Sequence, residues 1–174
     1  MISLFFLMLY FTTKEVDLEI WTKLLKSDDF IGIKQHINSG ADVNKVNEQE
    51  ESVLAVALRN RCEQDIIDLL IKSGADLYEI DEEGVSIFDY TITYDNPVLF
   101  QKFIDNNIDV NMTSRKSRFT PLMAAVCYTR TKMAETLIKS GADKEAVDFK
   151  GFTAMDFARK MNKKSMIKLL KTEI

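Results

Sequence analysis

The feature that most limits what this chain can fold into is that it repeats itself. Ser39-Gly40-Ala41-Asp42-Val43-Asn44 returns as Ser73-Gly74-Ala75-Asp76-Leu77-Tyr78, as Asn106-Asn107-Ile108-Asp109-Val110-Asn111 and as Ser140-Gly141-Ala142-Asp143-Lys144-Glu145. From Gly40 through Gly74 and Asn107 to Gly141 the steps are 34, 33 and 34 residues. A second series, opening at Ser52, Ser86, Thr120 and Thr153, steps by 34, 34 and 33. Two series in phase imply one supersecondary unit used again and again, because a period of this length is the mark of stacked repeats.

Elementary backbone chemistry says what the unit is. Gly40, Gly74, Asn107 and Gly141 each follow an apolar run of helical spacing. There the chain must turn through the left-handed region, which Gly tolerates and Asn accepts best of the rest. The Ser or Thr of the second series is a helix N-cap, and Pro121 follows Thr120 at the first helical position, where no N–H is needed. Each unit therefore reads as a short first helix, a turn, a second helix and a polar hairpin. First helices are expected near 17–26, 53–60, 87–94, 121–128 and 154–161, and second helices near 29–38, 63–72, 96–105, 131–139 and 163–171. Ile66, Ile67, Leu70 and Ile71, and later Met133, Ala134, Leu137 and Ile138, give the second helices an apolar face. Ala55, Ala57, Ala124 and Ala125 are small enough for first helices to approach closely. No single pair buries its own apolar face, so neighbours must stack.

On these residues the chain resembles the ankyrin-repeat family. Thr120-Pro121-Leu122-Met123-Ala124-Ala125 is similar to the family's TPLHxA signature, with Met123 in the histidine place. Asp81-Glu82-Glu83-Gly84-Val85-Ser86 and Asp148-Phe149-Lys150-Gly151-Phe152-Thr153 resemble its DxxGxT hairpin turn. The resemblance covers roughly residues 16–172 and implies an all-α solenoid of about five helix-turn-helix repeats joined by short β-hairpin-like loops. The repeats are expected near 16–44, 45–78, 79–111, 112–145 and 146–174, within one ankyrin-repeat domain over 16–174. Two hairpins depart from the pattern and are expected to be less regular. Asn47 to Glu51 lacks the glycine, and Arg115 to Phe119 lacks both Asp and Gly.

Residues 1–15 stand apart. Ile2 to Phe11 is almost wholly apolar, yet ten helical residues rise only about 15 Å, half of a bilayer core. It is not a spanning helix. It also lacks a basic start and a small-x-small cleavage site, so the first expectation is a terminal cap over the opening repeat. Export, membrane attachment and a misassigned start are the alternatives.

Little in the sequence speaks for catalysis. His36, the one histidine, aligns with Leu70, Phe103 and Leu137 and reads as a core position. Cys62 and Cys127 lie far apart, with no metal spacing or second thiol near either, which suits a reducing, cytoplasmic setting. The carboxylates Glu48, Glu50, Glu51, Glu79, Asp81, Glu82 and Glu83 fall on solvated hairpins, not in a buried acid–base pair. The next hairpin reverses sign with Arg115, Lys116 and Arg118, but a net charge of −4 gives no general reason to expect nucleic acid. We expect no enzyme, no metal and no cofactor.

The resemblance implies a protein-binding module, a monomer when unbound, whose concave surface is made of hairpin tips and first-helix ends. Carried over position by position, that surface is Gln49, Glu51, Arg59 and Asn60 in the second repeat and Glu82, Val85, Thr93 and Tyr94 in the third. The fourth adds Lys116, Phe119, Cys127 and Tyr128. Arg59, Tyr94, Phe119 and Tyr128 head this set as the usual energetic anchors. Two other readings stay open: an accessory protein for a redox or haem enzyme such as catalase, touching Cys127, Tyr128 and His36, and a secreted host-directed effector.

Overall fold

The computed structural model describes residues 17–172, so the apolar segment Ile2 to Phe11 lies outside the described residues. The chain falls into two compact units, one up to Leu77 and one from Tyr78. In the first, α1 (17–26) and α2 (Phe30–Asn38) form one helical pair, and α3 (Val53–Asn60) and α4 (Gln64–Lys72) form the next. In the second, α5 (Ile87–Tyr94) pairs with α6 (Pro97–Asp105), α7 (Pro121–Cys127) with α8 (Thr131–Lys139), and α9 (Ala154–Lys160) with α10 (Lys164–Lys171). Among the described residues there is no sheet, only single antiparallel bridges between Val46 and Ser52 and between Ile80 and Ser86. The architecture is an all-α repeat array.

The caps are where the sequence put them. Ser52, Ser86, Thr120 and Thr153 each accept from the backbone N–H three residues on. Second helices start one residue late at Phe30, Gln64, Pro97 and Lys164, because Asp29, Glu63, Asn96 and Lys163 are the caps. First helices α7 and α9 stop one residue early, with Tyr128 and Met161 as their C-caps.

Packing follows the same logic. In the first unit α4 packs on α2 and α3 around Trp21, Leu25, Ile33, Leu54, Ile66 and Leu70, all at most 1% exposed. In the second unit α7 packs on both α5 and α9, so Pro121 through Val126 are all buried. Ala124 and Ala125 at 0% exposure let the backbones approach, and α8 packs against α10 with Leu137 and Met166 inside.

Torsion angles carry the period better than residue names do. The Gly40, Gly74, Asn107 and Gly141 corners all have positive φ, and each closes the preceding helix in one way. The corner N–H reaches Ile37, Ile71, Ile104 and Ile138, and the next N–H reaches His36, Leu70, Phe103 and Leu137. Another series lies in the turn between paired helices, at Asp28, Arg61, Asp95, Thr129 and Asn162, with φ from 52 to 67° and steps of 33, 34, 34 and 33 residues. No glycine marks it.

Candidate functional site

Each hairpin tip is tied by one side chain. Asn47 Oδ1 accepts from the backbone of Gln49 and Glu51, both at 2.9 Å. Asp81 Oδ1 does the same for Glu83 and Val85, and Asp148 Oδ1 for Lys150 and Phe152. The Asn47–Glu51 hairpin is therefore regular, contrary to expectation: an amide oxygen replaces the carboxylate, and Glu50 adopts φ 58° without being glycine. The 113–119 hairpin does differ. Arg115 has no acceptor to offer, so Thr113 Oγ1 accepts from Arg115 N at 3.2 Å and donates to Phe119 O at 3.1 Å. Arg118, with φ 55°, still makes the left-handed corner.

The expected surface residues divide by environment. In the first unit Gln49 and Asn60 are exposed, and the Arg59 side chain is 45% exposed. Glu51 departs from the expectation of a surface group. It is buried, takes a 2.6 Å hydrogen bond from Asn47 Nδ2, and pairs with Arg59 at 3.0 Å, so it positions the arginine. In the second unit Glu82, Lys116 and Tyr128 are exposed, while Val85, Thr93, Tyr94, Phe119 and Cys127 are half-buried. Tyr94 leans on Tyr90 with ring centres 5.6 Å apart, and Phe119 meets Phe157 edge-on at 5.3 Å.

A model of the family described as ankyrin repeats (3 copies) matches residues 88–174. The chain belongs to the ankyrin-repeat family. Ankyrin repeats are in general protein–protein interaction modules and typically non-catalytic. At the place of the ankyrin signature histidine, this chain carries Ala55, Asp89, Met123 and Asp156. Asp89 Oδ2 accepts from Ser86 N and Oγ, Asp156 Oδ2 from Thr153 N and Oγ1, and Met123 Sδ from Thr120 N at 3.5 Å, so three of these positions close capping boxes instead. Those Thr153 hydrogen bonds hold the Asp156 carboxyl below its ordinary value.

His36 and Cys62 in these ankyrin repeats are already engaged. His36 Nε2 lies 2.8 Å from Asp17 Oδ1, and its ring meets Trp21 edge-on at 4.8 Å. Burial, with Asp28 adding to it, pushes the Cys62 thiol up to about 12, and its Sγ donates to Leu25 O. Burial also raises Cys127, partly opposed by Lys163. A reactive thiol needs the opposite shift. Arg115, one of the three expected hairpin cations, is not a surface charge. Its guanidinium lies 3.1 Å from the carboxylate of Asp89, which is only 2% exposed. Among the described residues no group of three His, Cys, Asp or Glu is arranged to hold a metal, and no helix is long and apolar enough to cross a membrane.

Sequence reasoning missed the residues that join ankyrin repeats to one another. Arg130 reaches back to the end of α5, donating to Ile92 O, Thr93 O and Asp95 Oδ2 at 2.9–3.1 Å. Lys163, 33 positions later, does the same at the end of α7, donating to Cys127 O at 2.7 Å and touching Thr129 Oγ1. Asn44 accepts from Asp76 N and donates to Gly74 O, and Asn111 treats Asp143 and Gly141 identically. The period itself was the available signal, since Arg130 and Lys163 share one phase, and Asn44 and Asn111 another.

Proposed function

We propose that the chain is a non-catalytic protein-binding module, engaging its partner through hairpin tips and first-helix ends. The observation that carries this reading is the fixed turn beneath varied tips. Asn47, Asp81 and Asp148 lock the same backbone turn, yet the exposed side chains above it are Glu48 and Gln49, then Glu82 and Glu83, then Phe149 and Lys150. Recognition residues held on a rigid frame lose little freedom on binding, which is what strengthens association.

The first unit offers Gln49, Arg59 and Asn60, with Arg59 held by Glu51. In the second, Tyr94, Phe119 and Tyr128 are the aromatic anchors, with Lys116 and Glu82 at the rim. The test is affinity capture with mass spectrometry, using Arg59→Ala and a Tyr94→Ala/Tyr128→Ala double variant separately. Loss of a captured protein in either variant, with the helical circular dichroism intact, is the expected result. Capture unchanged in both rejects these surfaces.

A further inference from the structure

We infer that one edge of the second unit, built from the 113–119 and 147–153 hairpins and the start of α9, docks an acidic peptide segment that carries apolar side chains. This inference rests on the protein-binding reading above and specifies the partner's chemistry. Phe149 N donates to Ser117 O at 2.9 Å, which joins the two hairpins edge to edge. Phe119 meets Phe157 at 5.3 Å and Phe152 meets Phe157 at 6.1 Å, so three rings run as one ladder beside that junction. Phe149 is 65% exposed, Phe152 40% and Val147 38%. An apolar cluster of this kind, ringed by charge, marks a contact surface.

Within residues 113–119 and 146–161 every exposed charge is positive. Lys116, Arg118, Lys150, Arg159 and Lys160 are all exposed, and Lys150 and Lys160 sit over the Phe149 and Phe152 rings at 5.8 and 5.6 Å. Residues 113–119 contain no carboxylate. The two in 146–161, Asp148 and Asp156, are committed to a turn and a cap. In a chain of net charge −4, this is a local reversal that would attract carboxylates and set the register of an incoming segment.

A peptide fits better than a nucleic acid. Bases stack on open ring faces, but here Phe119, Phe149 and Phe152 each have a cation over the ring. Ring edges and lysine stems remain, which suit Leu or Phe side chains alternating with Glu.

The test is fluorescence anisotropy on the full chain with a labelled synthetic peptide alternating Glu with Phe and Leu. The comparators are the same peptide with Lys for Glu, one with Ser for the apolar residues, and a thymidine oligonucleotide of equal length. The acidic apolar peptide should bind at least about tenfold tighter than any comparator, a gap of about 1.4 kcal/mol. Lys150→Glu with Lys160→Glu should remove that margin, and Phe149→Ala should weaken binding several-fold, with helical circular dichroism unchanged. Should the charge reversal disturb folding, Lys150→Gln with Lys160→Gln replaces it. Equal binding of the lysine peptide, tighter binding of the oligonucleotide, or indifference to these substitutions would overturn the proposal. So would sedimentation showing a dimer that the reversal dissolves, since a second copy would then own this face. If the peptide fails while Arg59→Ala or Tyr94→Ala/Tyr128→Ala still abolishes partner capture, only the partner's chemistry is wrong. If both fail, the protein-binding role falls with it.

Discussion

At Gly84 a single hydrogen atom decides whether two hairpins can meet. A Cβ there would stand 2.2 Å from Ser114 O, and φ is +77°, so Ala meets both a collision with backbone and left-handed strain. Gly151 has a similar φ of +81° but nothing within 4 Å. Gly84→Ala should therefore cost about 3 kcal/mol in urea unfolding and Gly151→Ala about 1 kcal/mol. Equal losses would mean that the close approach carries no weight. The thiols separate in the same way. Cys62 is 8% exposed and its pKa raised to about 12, whereas Cys127 is half-buried. A thiol reagent at neutral pH should modify Cys127 first and reach Cys62 only on unfolding, and mass spectrometry of the modified chain reads the order.

Among the elements, helix ends matter more than helix middles. The last turn of α5 would leave carbonyls without partners, and Arg130 supplies donors to two of them from the next repeat. Its charge also suits the negative end of the helix. Arg130→Ala should lower unfolding free energy by about 2–3 kcal/mol, and Arg130→Lys should recover part of it, read by thermal or urea denaturation. Helix positions were legible in advance, because Ser52, Ser86, Thr120 and Thr153 announce starts and Gly40, Gly74, Asn107 and Gly141 announce ends. Beyond the phase that Arg130 shares with Lys163, the arginine's role was not legible. An Arg at a second-helix cap looks like ordinary surface charge until three dimensions bring it to a carbonyl 38 positions earlier.

Across the whole molecule, the repeat was plain in the residues and the coupling between repeats was not. Asn44 and Asn111 lay within the recurring segment that revealed the period, but nothing in one segment says that its Asn bonds to the next. Glu51 and Arg115 misled for a related reason. Both sit at hairpin positions that read as solvated, and both are turned inward by a partner, Arg59 and Asp89. Asn111→Ala removes two bonds joining successive repeats of the second unit. It should lower stability by about 1–2 kcal/mol and broaden the unfolding transition, since a repeat array holds its cooperativity only through such neighbour terms. A transition that shifts without broadening would confine the bonds to local support.

The turn closed by Asp148 has a consequence for how such a chain changes over generations. Its carboxylate and backbone do all the holding, so the Phe149 and Lys150 side chains owe nothing to the architecture beneath them. Those two sites are open to drift and to selection for a new ligand, while the scaffold that presents them is inherited intact.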